Sequence, residues 1–161
     1  MKTFLDRLGF VLHRPRFFGK TFTSIVTQGI YGGDKIVDYL DFVSNGLGFN
    51  TVKGGCLMTL DPMTEKQQGE VERALARHAN RYHATMEKPG YPAPTLFKLM
   101  IFRMSRTRIR LELDDSFRDY TNYSDNGWFE SDHYYPVRLG LLKKVAGQLF
   151  DRMSARVTTA R

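Results

Sequence analysis

The sequence predicts an α/β chain: a partial parallel sheet missing its N-terminal strands, followed by a C-terminal α-helical extension. Three observations predict it. Helix, strand, helix, strand and helix patterns alternate over residues 1–90, and a strand–helix–strand unit implies a parallel pair with a right-handed crossover. A glycine-rich turn, Gln28-Gly29-Ile30-Tyr31-Gly32-Gly33, joins the first strand to a helix, the place where α/β sheets hold ligands. From residue 91 onward the strand signals give way to helical periodicity. The chain therefore divides into an α/β portion, residues 1–90, and a helical extension, residues 91–161.

Phe4, Leu5, Leu8 and Leu12 recur at helical spacing and predict a helix over residues 1–12, closed by His13-Arg14-Pro15-Arg16. Phe17 to Thr27 is aromatic and β-branched, a buried strand from about Thr21. After the glycine turn, Ile36, Val37, Leu40, Val43 and Leu47 mark a helix face, and Gly46 and Gly48 mark its end. Thr51 to Leu60 reads as a second strand, with Gly54-Gly55 a bulge or a close backbone approach. A long helix follows, opened either by Asp61-Pro62 or by a capping box of Thr64 and Gln67. Its narrow apolar stripe is Val71, Ala74, Leu75, Ala79 and Tyr82, and Pro89-Gly90-Tyr91-Pro92 ends it.

The extension begins with a helix from Leu96 to about Arg110, then an acidic, aromatic stretch from Asp114 to Asp132 with a short helix near Phe117–Tyr123. In the last helix Leu142, Val145, Ala146, Leu149, Phe150 and Met153 form one face, opposed by Lys144, Arg152 and Arg156. Met1 opens inside a helix pattern, with no strand and no phosphate-cradling loop before it. Two parallel strands need further members and helices on both faces. Another chain or an absent N-terminal portion is expected to complete the sheet.

The net charge of +7 invites a nucleic-acid reading, and its distribution argues against one. Residues 94–110 hold 5 basic and no acidic side chains, residues 111–136 hold 1 and 7, and residues 137–161 hold 6 and 1. A nucleic-acid track would not insert so acidic a block, whereas segments that fold back on one another would alternate in this way. The longest apolar stretch, Leu96 to Phe102, is interrupted by Lys98 and is too short to span a bilayer. Charge stands where a signal peptide would place its apolar region, so the expected compartment is the cytoplasm. One cysteine, Cys56, cannot form an intramolecular disulfide or hold an iron–sulfur cluster, and it reads as a buried core thiol.

His78 and His83, five apart on a helix, diverge and do not make a metal pair; His13 and His133 are isolated. The acidic residues Asp114, Asp115, Asp119, Asp125 and Asp132 lack the spacing of a calcium loop and read as a solvated or salt-bridged face. Arg103, Arg106 and Arg110 share a helix face. It could pair with the acidic block, capture a cofactor phosphate or touch anionic lipid. No Ser–His–Asp or Cys–His arrangement and no catalytic side chain stands out.

Residues 1–8, the basic proline-containing linker, the aromatic strand and Thr27-Gln28-Gly29-Ile30-Tyr31-Gly32-Gly33 together resemble the later portion of NAD(P)H-dependent FMN reductases. These are flavodoxin-like oxidoreductases, and the iron–sulfur-flavoprotein-related branch, without its cluster cysteines, is the nearest. Asn126-Gly127-Trp128-Phe129 and the final helix resemble extensions found in some of them. The resemblance implies a five-stranded parallel sheet holding FMN at the strands' carboxyl ends, with NAD(P)H as co-substrate. It also makes Thr27, Gln28, Gly29, Ile30, Tyr31, Gly32 and Gly33 the loop along the flavin edge. The loop that holds the FMN phosphate in the family, and a second loop flanking the ring, have no counterpart here. The expected function is FMN-dependent NAD(P)H oxidoreduction, with a truncated chain, inactive alone, as one form of it. A homo-oligomer, in the simplest case a dimer, is the expected assembly. The alternatives are a non-catalytic interaction protein derived from such a reductase, and a peripheral membrane protein using its basic amphipathic C-terminal helix.

Overall fold

The computed structural model describes residues 2–88 and 90–159. The chain is mixed α/β and divides into two compact units, Met1–Gly90 and Tyr91–Arg161.

In the first unit the helix expected over residues 1–12 is two short ones, α1 (Lys2–Arg7) and α2 (Gly9–His13); Met1 lies outside the described residues. Leu8, at φ −96° and ψ 2°, divides them, a bridge-region conformation that breaks regular helix. The expected strands are interrupted too. The first becomes β1 (Thr21–Phe22) and β2 (Ile25–Gln28); the second becomes β3 (Asn50–Thr51) and β4 (Gly55–Met58). β1 pairs with β3 and β2 with β4, both parallel. Thr21 and Phe22 face Asn50 and Thr51, whereas Ile25 to Gln28 face Gly55 to Met58. One extra residue therefore enters the second strand between Thr51 and Gly55. This is the bulge expected at Gly54-Gly55, and it is also a close approach. A Cβ on Gly54 would collide with Ser24 Oγ and stand 2.9 Å from Ser24 O and 2.8 Å from Val37 Cγ1.

Helix α3 (Gly33–Leu47) packs on one face of the paired strands and α4 (Glu65–Met86) on the other. α3 buries Val37, Ser44 and Leu47 and stops at Gly48, whose φ of 104° favours glycine. The Phe49 N–H returns to Ser44 O at 3.1 Å, closing the end. Of the two starts offered for α4, the capping box forms: Thr64 Oγ1 accepts from Gln67 N and Gln67 Oε1 accepts from Thr64 N. Pro62 therefore precedes the helix. The stripe facing the strands also differs from expectation. Val71, Ala74 and Tyr82 are half-buried, the fully buried position between them is His78, and Leu75 and Ala79 point outward. Pro89, expected among the residues ending this helix, lies outside the described residues.

In the second unit α5 (Leu96–Glu112), α6 (Arg118–Asp125) and α7 (Leu141–Thr159) surround an aromatic core. Leu99, Phe102 and Tyr123 are wholly buried. The Tyr123 ring meets Trp128 edge-on at 5.0 Å, and Trp128 Nε1 donates to Tyr134 O at 2.9 Å. Edge-to-face rings of this kind add about 0.5–1.5 kcal/mol each beyond their buried area. α5 and α7 run side by side in the same direction: Lys143 reaches Pro94 O, Ser154 reaches Met104 O, and Thr158 reaches Glu112. The side of α7 turned to α5 is not the centre of its expected apolar face, of which only Ala146 and Phe150 are half-buried. It carries Gly147 and Ser154, both buried, and Asp151, while Leu142, Val145, Leu149 and Met153 are exposed.

Candidate functional site

The loop Thr27–Gly33 leaves the carboxyl end of β2 and enters α3. Its base is fixed. Gln28 O accepts from Thr59 N at 2.9 Å, tying the loop to the segment after β4, and the Gln28 side chain folds forward so that Oε1 accepts from Gly33 N at 2.7 Å. That bond occupies one of the open N–H groups at the start of α3, which has no side-chain cap of its own. The crest is open. Gly29 and Gly32 have nothing within 4 Å of where a Cβ would stand, and Gly32 has φ 93°. Ile30 and Tyr31 are 77% and 87% exposed, an unusual position for two large apolar side chains. Thr27 stays in the strand, paired with Leu57. The seven residues proposed from the sequence are thus contiguous but not alike: Thr27 and Gln28 end β2, Gly29 to Gly32 form the exposed crest, and Gly33 opens α3 and is buried.

Gly33 is the tight point beneath it. A Cβ there would overlap Cys56 Sγ and stand 2.8 Å from Gln28 Oε1. Cys56 is half-buried rather than wholly buried as expected, because its β4 position lies beside the loop's base rather than under α3's centre. Partial burial, and then the Asp34 carboxylate, raise its thiol above the usual range, which suits a packing role rather than a nucleophilic one. Gly33→Ala is expected to cost about 1–3 kcal/mol through overpacking and to be partly relieved by adding Cys56→Ala. A double-mutant cycle by thermal denaturation checks this; strictly additive losses would sink the account.

Sequence reasoning missed the group beside α4. His78, 5% exposed, has Nε2 2.7 Å from Thr23 Oγ1 and Nδ1 3.1 Å from Arg81 Nη2. A guanidinium can only donate, so Nδ1 accepts and Nε2 carries the proton toward Thr23. Burial, then Arg81, pull the His78 pKa below its ordinary value, with Asp41 opposing them. The imidazole is neutral and its tautomer fixed. It borders a cavity of about 520 Å³ lined by Ile25, Gly55, Leu57, Ala74, Arg77 and Arg81. Gly55 lies directly over the ring, 3.4 Å from where a Cβ would stand to Nδ1. The available signal was the Val71–Ala74–His78–Tyr82 spacing, which places a histidine on the apolar stripe. His83 turns to solvent and pairs with Glu87, so the two histidines do diverge.

The arginine face resolves to internal pairing. Arg103 binds Asp132 at 2.7 Å and Asp151 at 3.0 Å; Arg106 binds Asp151 at 2.8 Å and Ser131 O at 2.6 Å; Arg110 binds Glu130 at 2.9 Å. Thr107 Oγ1 also donates to Asp151. Burial depresses the Arg106 pKa, with Asp151 opposing. These guanidinium groups are committed to protein carboxylates. Among the described residues no group of three His, Cys, Asp or Glu side chains could hold a metal ion.

No family model matches the sequence, and neither does any curated protein or solved structure.

Proposed function

We propose that the first unit supplies the flavin-edge loop of an FMN-dependent NAD(P)H oxidoreductase of the flavodoxin-like kind. The observation that carries the reading is the open crest of Thr27–Gly33 at the carboxyl end of a parallel strand, flanked by a helix on each face. The residues fit a flat ring. Gly29 and Gly32 let the backbone approach it closely, and exposed Tyr31 offers a face to lie on it. They do not fit the phosphate: the loop contains no cation, and Asp34 stands in the first turn of α3, where its carboxylate would repel the phosphate. The phosphate thus falls to elements beyond this loop. The chemistry that FMN would supply there is the acceptance of hydride from a nicotinamide and onward reduction of an acceptor. This chain's own part would be to place the ring edge and cover it with Tyr31.

The test is titration of the purified protein with FMN, read by quenching of flavin fluorescence. Binding is expected, and Tyr31→Ala should weaken it about fivefold, the effect of one lost aromatic contact of about 1 kcal/mol. A protein that leaves FMN fluorescence unchanged overturns the reading. A second reading, a non-catalytic interaction protein, draws support from the outer side of α3, where Ile36, Tyr39 and Phe42 are 44%, 52% and 68% exposed. It predicts self-association without flavin binding, lost in Phe42→Asp.

A further inference from the structure

We propose that the outward face of α7 docks the protein on an anionic lipid surface. The observation is the inversion of this helix. It meets α5 through Gly147, Asp151 and Ser154, and of the apolar face that periodicity alone would bury, Leu142, Val145, Leu149 and Met153 point away from the unit's core while Ala146 and Phe150 are half-buried. Val145, Leu149, Met153 and Val157 recur every fourth residue and are 58%, 54%, 48% and 60% exposed. At this spacing they form one unbroken row along the helix. Lys144, Gln148, Arg152 and Arg156 each precede a member of that row by one position and form the row beside it; all four are exposed.

Charge decides the occupant. Residues 137–161 hold 6 basic side chains and 1 acidic, and that one, Asp151, is turned inward to Arg103, Arg106 and Thr107. α7 therefore offers Lys144 and Arg152 beside hydrocarbon, with its own carboxylate turned inward. That is the pattern of a helix lying in a membrane interface, where anionic headgroups supply the counter-charge. A second copy would bring two such cationic rows to one seam with no carboxylate of α7 to separate them. No helix among the described residues is long and apolar enough to cross a membrane, so the helix lies along the surface.

The full chain is floated with vesicles of phosphatidylcholine containing phosphatidylglycerol, and with phosphatidylcholine alone. Flotation with the anionic vesicles only is expected, and it should weaken as salt is raised. Lys144→Gln with Arg152→Gln should lower partitioning about thirty-fold, from the loss of two cations at the surface. Leu149→Asp should lower it as well, while Trp128 fluorescence stays native. Protein that remains at the bottom with anionic vesicles overturns the proposal. So does equal flotation of the wild type and both variants. A wild-type dimer that Leu149→Asp converts to a monomer, without vesicle binding, assigns the face to a second copy instead.

Discussion

Asp151→Ala is expected to destabilise the second unit by about 3–5 kcal/mol, the cost of leaving buried charges without their partner. This carboxylate serves three groups at once: Arg103, Arg106 and Thr107. The Arg103 side chain is only 8% exposed and lies directly on Gly147, where a Cβ would stand 2.9 Å from Nε. The guanidinium is clamped between helices and cannot swing out to water. Its remaining partner, Asp132, is half-exposed and cannot compensate both arginines. Urea unfolding followed by Trp128 fluorescence measures the loss selectively, since Trp128 is the chain's only tryptophan and lies in this unit's core. Arg110→Ala is the internal control: its pair with Glu130 is solvent-exposed on both sides and should cost less than about 1 kcal/mol. Equal losses in the two variants would remove the distinction between a buried hub and an ordinary surface pair.

The second large effect is a pH dependence. Burial, reinforced by Lys98 and Arg103, pulls the His133 pKa down to about 4 from the ordinary histidine value of 6.5. The ring is 3% exposed, lies among Phe102, Tyr134 and Tyr135, and keeps Nδ1 buried with no hydrogen-bond partner among the described residues. The folded-state pKa lies below the unfolded one, so the unfolded chain takes up the proton first. The second unit's stability is therefore full above pH 6.5 and declines as pH falls toward about 4. Across that window the decline should reach about 3 kcal/mol. His133→Phe keeps an aromatic ring in the cage and removes the proton site, so its stability should be flat over the same range by Trp128 fluorescence. A slope that persists in His133→Phe would assign the effect elsewhere. His78 titrates in the same sense, but it sits in the other unit and does not report through Trp128.

Local chemistry was legible where a residue does its work within a few positions. Gly48 ends α3 because a left-handed turn needs glycine, and Thr64 with Gln67 starts α4 because the two satisfy each other's backbone bonds. The Thr27–Gly33 loop was legible for the same reason: punctuation between a strand and a helix is written in glycine. What stayed hidden depends on residues far apart. Gly9 is the one local cue that α1 and α2 separate at Leu8, and a lone glycine within a helical pattern is too weak to announce it. His78 is buried because Thr23, fifty-five residues earlier, accepts its proton. α7 is the sharpest case, because periodicity finds an apolar face but cannot say which side a neighbour will take. The neighbour takes the side with Gly147 and Asp151, since Arg103 needs both a gap and a carboxylate.

The extra residue between Thr51 and Gly55 acts as a phase shifter. Upstream of it Asn50 shares a side of the sheet with Thr21; downstream, Gly55 shares a side with Ile25 and meets His78, while Gly54 and Cys56 turn to α3 and the loop's base. Removing one residue here would invert every later side chain of β4, turning Cys56 toward the imidazole. Lys53, exposed at the surface, is thus a position where side-chain identity is nearly free and chain length is not. At Lys53, insertions and deletions, rather than substitutions, are what the polypeptide must resist.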